Sequence, residues 1–330
     1  MKGRVTIIGL GCVGASMGLA LRAHAPEVEV IGHDIEPERA RQAQRMGAVH
    51  KTHWNLPAAC EDASLVILAL PLPAVRDTLA VLGPHLKEDC VVTDTAMLKM
   101  PVLAWARQYL PPHVHFITGA PIPGPGVAAT TALVGPEAAD ADLFLDGLYC
   151  VASVPETDPS AVSALLALAE VLGAQLLFLD PLEYDGLQSG AAEMPVLLAM
   201  ALTRTMMGTA SWADMRKIAG ADFAVSTSLA AGDAAGLAEE AMLNRENLAR
   251  RLEVIQGELE RIRQWLLGGE GEALKTAYIE AAESRAQWLR ERASGRWDSP
   301  VEQPAIPSAG EQMARMLFGQ LFRRPRREEK

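Results

Sequence analysis

Positive charge is scarce in this 330-residue chain: 30 Lys and Arg stand against 41 Asp and Glu, a formal charge of −11. Phosphate-backbone binding needs clustered cations, so a general nucleic-acid partner is not expected. Cysteine is sparse too. Cys12, Cys60, Cys90 and Cys150 lie far apart with no CxxC pair, which excludes the usual zinc and disulfide patterns and leaves no metal site to expect. No apolar run approaches the roughly 18–20 residues that cross a bilayer; the best, Leu65 to Pro71, has the length of a strand. The opening MKGRVTIIGLG meets its glycines too early to read as a secretory signal. What is present is 49% hydrophobic and 22% charged, an ordinary globular composition, and at roughly 100–200 residues per domain the length suggests two domains or one large one. A cytoplasmic protein acting on a small-molecule substrate is expected.

Short apolar runs and amphipathic stretches alternate in the first part of the chain. Val5–Ile8, Val28–Ile31, Leu65–Leu70 and Val91–Val92 read as strands. Val13–Ala23, Pro37–Met46, Ala74–Leu82 and Pro101–Leu110 read as helices between them. Further strands are expected at Val114–Thr118, Thr131–Val134, Leu148–Ser153 and Ala174–Leu179, with a helix at Asp158–Leu172 before the last. Near-continuous apolar strands separated by helices predict an α/β fold, a Rossmann-type doubly wound parallel sheet covered on both faces. The dinucleotide-binding domain is placed at residues 1–179.

From residue 180 the pattern turns helical, with Leu182–Met207, Leu237–Leu267 and Glu272–Ala293 as long helices of an all-helical substrate and dimerisation domain at 180–293. Leu248, Leu252, Ile255, Leu259, Ile262 and Leu266 follow one another in steps of four and three, forming one apolar stripe. Such helices leave apolar surface for a partner, so a homodimer through them is expected. Residues 294–330 read as a Pro/Ser/Gly-rich linker and a tail carrying Arg323, Arg324, Arg326 and Arg327 beside a short apolar segment. That tail suits either a membrane-surface or partner-docking role or a solvated end.

The most informative motif is Gly9-Leu10-Gly11-Cys12-Val13-Gly14, directly after a strand and opening a helix. In a dinucleotide site the first glycine allows the tight turn, the second admits the diphosphate to the backbone, and the third lets helix and strand pack closely. The helix N-terminus, with Cys12 and Val13 in its first turn, offers free N–H groups and partial positive charge. Asp34 stands 20 residues beyond Gly14 at the end of the second strand, where an acid bonds the ribose hydroxyls. A carboxylate there favours NAD over NADP, although Arg39 and Arg41 lie near enough to meet a 2′-phosphate. Later strand ends should line the same crevice: Leu70 and Pro71 after one strand, Thr93 and Asp94 after the next. Asp94 has an equal claim to be a cap for the following helix.

Taken in order, GLGCVGASMGLAL, VILALPL, TDTAMLK, FITGAPIPGPG, DPLEYDGLQSGAAEMPVLLAMAL, WADMRKIAG and NRENL resemble the prephenate dehydrogenase family over residues 1–267. The resemblance implies a nucleotide-binding domain, a helical dimerisation domain, and NAD(P)-dependent oxidative decarboxylation of prephenate or arogenate on the route to tyrosine. Gly9, Gly11, Gly14, Asp34, Asp94, Lys99, Pro121, Gly124 and Pro195 match the family pattern.

The proton-handling positions do not match. The family's Ser falls on Met97, its catalytic His on Ala120, and its Ser-His-Leu-Pro-His motif on Ala192-Glu193-Met194-Pro195-Val196. The preceding His-Asp pair is Tyr184-Asp185, and the substrate-gripping Arg is Lys217, next to Arg216. A base for the ring hydroxyl contributes ~10²–10⁴-fold, and alanine cannot supply it. The remaining catalytic candidates are Lys99 near the crevice, His115 on the strand before GAPIPG, Glu193 and Lys217. On a regular helix, Tyr184 and Glu193 are nine residues apart and point to opposite faces, so only one of them should meet the pocket. Glu193 would repel a second substrate carboxylate and could pair with an amino group, as arogenate has. Two readings follow: a dehydrogenase with an altered pocket, or a catalytically silent NAD-binding protein. A 3-hydroxyacid or 6-phosphogluconate-type dehydrogenase shares the architecture but leaves GAPIPG and AEMP without a place.

Overall fold

Alternation decides which way each strand residue faces, and here it sorts the core into two layers. The computed structural model describes residues 3–129, 133 and 135–295. Its sheet has eight strands: β1 (Gly3–Ile8), β2 (Val28–His33), β3 (Lys51–Thr52), β4 (Ala63–Leu68), β5 (Val91–Asp94), β6 (His115–Ile122), β7 (Leu148–Ala152) and β8 (Gln175–Leu179). Val5, Ile7, Leu65, Ile67 and Val91 point to one face, while Ile8, Val66, Leu68 and Val92 point to the other. Helices α1 (Cys12–His24), α2 (Pro37–Arg45) and α6 (Pro159–Val171) contribute to the first layer. Helices α3 (Leu56–Cys60), α4 (Leu72–Leu82) and α5 (Met100–Tyr109) cover the second. At about 1.5–3 kcal/mol per fully buried large apolar side chain, these two layers are the main stabilising store of the sheet.

The strand order is β3-β2-β1-β4-β5-β6-β7-β8. Order reverses between β1 and β4, the place where a doubly wound sheet opens a crevice at its carboxyl ends. The expected parallel sheet is parallel except at one joint, because β6 and β7 run antiparallel with Thr118 opposite Ala152. Both β3 and α3, two and five residues long, were too short to leave a periodic signal. The expected strand at Thr131–Val134 lies outside the described residues except for Leu133, as do residues 296–330, which hold most of the expected linker and all of the basic tail.

Helices follow β8: α7 (Pro181–Gln188), α8 (Met194–Met207), α9 (Trp212–Ile218), α10 (Ala221–Thr227), α11 (Ala234–Leu243), α12 (Arg245–Gly268) and α13 (Gly271–Ser294). Two expected long helices are interrupted. A π turn at Ser189–Glu193 joins α7 to α8, and Asn244 separates α11 from α12. The π turn winds the chain by less than 100° per residue and so changes the phase between its two ends. Tyr184 and Glu193 are both buried, at 5% and 7% exposure, but in different surroundings: Glu193 lines a cavity that Tyr184 does not, while Tyr184 packs with Ala120 and Cys150. Of the expected stripe, Leu248 is buried at 3%, whereas Leu259 and Leu266 are exposed at 58% and 63%.

Candidate functional site

The glycine-rich turn ends β1 and opens α1, and its three glycines meet different surroundings. Gly9 has φ +90°, and a Cβ there would stand 2.2 Å from the Ala69 carbonyl oxygen. A Cβ on Gly14 would lie 2.0 Å from the Gly9 carbonyl oxygen, so helix and turn touch only because none exists. Gly11 is different: nothing lies within 4 Å of its hypothetical Cβ. The open space belongs to a crevice of about 530 Å³ that Gly9, Gly11, Cys12, Val13 and Gly14 share with Asp34, Leu70 and Pro71. Asp34 stands at the tip of β2, where its Oδ2 accepts the Leu10 N–H at 2.8 Å and its Oδ1 the Glu36 N–H at 2.8 Å. Arg39 also lines the crevice, beside Glu36 at 3.2 Å.

Thr93 and Asp94, expected in that crevice, are wholly buried and do not line it. Asp94 accepts the Ala96 N–H at 2.8 Å and the Lys99 ammonium at 3.0 Å. It therefore holds the loop after β5 and is not the cap of α5, whose N-cap position is Lys99. Lys99 is also wholly buried, donating to the Ala96 and Gly119 carbonyls at 2.6 and 2.7 Å as well as to Asp94. Three partners occupy all three ammonium protons. Lys99 is thus an internal clamp between β5 and β6, and the expectation that it touches substrate or cofactor is corrected. Its Nζ lies 5.3 Å from the Tyr184 ring centre. Asp185 accepts the backbone N–H of Lys99 at 2.6 Å and of Met100 at 3.0 Å, tying α7 to the start of α5.

A second cavity, of about 460 Å³, opens against α8 and α11. Met97, Ala192, Glu193 and Val196 line it, four of the positions where the family pattern is altered, together with Met200 and Glu240. Burial raises the Glu193 carboxyl above its ordinary range against a lowering hydrogen bond from Asn244, with Glu240 and Asp185 adding repulsion. Asn244 donates to Glu193 Oε2 and, at 3.0 Å, to the Asp185 carbonyl. Its own Oδ1 accepts from Asn247 at 2.7 Å, so the amide is held in one orientation. Ala120 lies 5% exposed in a cluster with Cys150 and Tyr184, and burial pushes both that thiol and that phenol up, away from the range of a base.

His115 and Lys217 are not brought to this cavity. His115 sits opposite Val91, at the amino end of β6, while the crevices open at the carboxyl ends. It faces Asp89 at 3.5 Å and Asp158 at 3.8 Å, so its expected role as a base near the nicotinamide is corrected. Lys217 is exposed on α9 and paired with Asp214 at 2.7 Å, which removes the expected substrate contact within this chain. Two residues at the cavity had no assigned role from sequence, Glu240 and Asn244. Asn244 lies in the NRENL segment, but Glu240 is one of many acids on an amphipathic helix and carried no signal.

Comparison with known proteins agrees with this geometry. The family model described as "Prephenate dehydrogenase, nucleotide-binding domain" matches residues 17–178. Residues 17–178 belong to the nucleotide-binding domain family of the prephenate dehydrogenases. Relatives from that family include the prephenate dehydrogenase of Bacillus subtilis (strain 168), 26% identical over 326 residues, covering 96% of this chain and 85% of the relative. The cyclohexadienyl dehydrogenase of Zymomonas mobilis is 23% identical over 283 residues, covering 85% and 94%. Among solved structures, the prephenate dehydrogenase from A. aeolicus in complex with hydroxyphenyl propionate and NAD+ superposes with a TM-score of 0.76 at 22% identity, covering 87% of this chain and 98% of that one. Synechocystis arogenate dehydrogenase gives a TM-score of 0.68 at 22% identity, covering 86% and 99%; at such identity both share the fold. The matched nucleotide-binding domain and these relatives indicate an oxidoreductase of the prephenate dehydrogenase type with a nicotinamide dinucleotide cofactor.

Proposed function

We propose that the protein is an NAD-dependent dehydrogenase acting on a cyclohexadienyl substrate of the prephenate or arogenate kind, with an altered acid–base apparatus. The observation that carries the reading is the open space over Gly11, framed by the α1 N-terminus and Asp34. Diphosphate oxygens fit against the free N–H groups there, and the remaining lone pairs of Asp34 face the adenosine ribose. NAD is favoured over NADP because Asp34 repels a 2′-phosphate and Glu36 already neutralises Arg39. When bound, the dinucleotide supplies the hydride acceptor. The chain's part is to position: Lys99 and Asp94 hold the loop carrying Met97, Asp185 holds α7 against α5, and Glu193 faces the substrate cavity. Of the four catalytic candidates only Glu193 keeps a substrate-facing place.

Gly11→Val should test the cofactor site cleanly. A side chain there meets open space, so folding is preserved while calorimetric NAD binding is abolished. Unchanged NAD affinity in a folded Gly11→Val variant would remove the cofactor assignment. The second reading is a silent NAD-binding paralogue, favoured by the apolar surroundings of Ala120. Steady-state assays with prephenate and arogenate decide between them, since turnover at ~1 s⁻¹ or more belongs to an enzyme.

A homodimer through the C-terminal helices is part of the proposal. Val254, Leu267 and Tyr278 are exposed at 74%, 71% and 71%, more apolar surface than an isolated helical layer should present. The cytoplasm fits four buried free cysteines, and among the described residues no helix is long and apolar enough to cross a membrane.

A further inference from the structure

The second cavity has an unusual charge pattern for its polarity. Its walls are aliphatic and thioether groups, Met97, Val196, Leu197, Met200 and Leu237 among them, and among the described residues its only ionisable lining residues are Glu193 and Glu240. Glu193 is 7% exposed, and its Oε1 is buried without a hydrogen-bond partner while Oε2 is held by Asn244. A fixed carboxylate with one free oxygen in an apolar wall is costly unless a ligand completes it. Glu240 approaches from α11, where the Leu72 backbone amide at the start of α4 is its hydrogen-bond partner. Burial raises both carboxyls, and each acid adjacent to them adds to the effect: Asp185 and Glu240 on Glu193, Asp233 and Glu239 on Glu240. Arg76, which reaches the neighbouring Glu239, is committed to Asp77 at 3.3 Å and Glu239 at 3.0 Å. Among the described residues no Lys, Arg or His lines this cavity.

We propose that the cavity is an ammonium site: a ligand with an apolar ring or chain places a protonated amine between Glu193 and Glu240, and Glu240 is a specificity-determining residue. The inference rests on the reading of this cavity as the substrate pocket. An ammonium supplies the donor that Glu193 Oε1 lacks and neutralises the mutual repulsion of the two acids. A ligand whose only charges are carboxylates meets like charge and finds no cation in return. At about 460 Å³ the cavity is within the roughly 300–1,000 Å³ range of small-ligand pockets.

The test uses three probes of nearly equal shape, tyramine, tyrosine and 3-(4-hydroxyphenyl)propionate, titrated calorimetrically into the full-length protein with saturating NAD+. Tyramine should bind about tenfold or more tighter than the propionate, with tyrosine between them. Glu240→Gln and Glu193→Gln should each reduce tyramine affinity about tenfold and narrow the gap to the propionate. Should Glu193→Gln fail to fold, Glu240→Gln and the wild-type ranking decide alone. A propionate that binds as tightly as tyramine, or no binding of any probe at millimolar concentration to the NAD-loaded protein, overturns the ammonium site. If that happens while NAD binds and prephenate is turned over, the dehydrogenase reading stands and only this inference falls. Loss of NAD binding itself would instead sink the dehydrogenase reading.

Discussion

The sheet half and the helical half of this chain solve the burial problem differently. Residues of β1, β4 and β5 are buried almost throughout, between two helical layers that come from the same chain. By contrast, α9, α10, α11 and α13 bury no residue fully, and α12 buries only Leu248. Edge strand β8 belongs with them in character, since Leu176, Leu177 and Phe178 are exposed at 41%, 36% and 54%. A sheet with helices on both faces closes its own core. Long amphipathic helices close theirs only against another surface, so the two halves should differ in what they need to remain folded.

The largest effect should come from breaking the self-sufficient half at the wholly buried ion pair of Lys99 and Asp94. Lys99→Met leaves Asp94 without its cation and should cost about 3–5 kcal/mol in urea unfolding. A loss below about 1 kcal/mol would mean that Asp94 finds another partner. Dilution probes the other half. If the helices complete their core against a second copy, each tenfold dilution should lower the melting temperature of the helical transition by roughly 2–4 °C, with the sheet's own transition unmoved. A concentration-independent melt with a monomeric sedimentation profile would erase the distinction drawn between the halves.

The smallest effect tests Glu193 at the boundary. Burial is the chief cause that raises its carboxyl above the ordinary value, so the folded state disfavours ionisation. The sign follows from linkage: such a group leaves stability intact below its unfolded pKa of 4.5 and removes some as pH rises through the window above it. Glu193→Gln should therefore melt higher than the parent at pH 8, and the difference should vanish by pH 4. A difference that grows on acidification would reverse the assignment.

Much of the sheet was legible because its signals are local. GxGxxG after an apolar strand fixes both a turn and a crevice, and period-two burial in Leu65–Leu68 needs no partner to be recognised. The site was harder because it is assembled from residues far apart in sequence. Glu193 lies at the end of a π turn, and no periodicity announces one, so the break between α7 and α8 was not legible. His115 was on the expected strand but at its amino end, a distinction that depends on the register with Val91. Thr93, Asp94 and Lys99 were placed near a crevice by spacing, yet the hydrogen bonds that consume Asp94 and Lys99 exist only in three dimensions. Glu240 reaches the cavity only through the packing of α11 against α4.

Asp34 carries one consequence for anyone redesigning the coenzyme preference. Both of its oxygens already strap down backbone, one at Leu10 within the glycine loop and one at Glu36. Replacing it by a small or basic residue to welcome a phosphorylated ribose would also untie the loop that greets the diphosphate. A successful swap must supply a new strap along with the new charge.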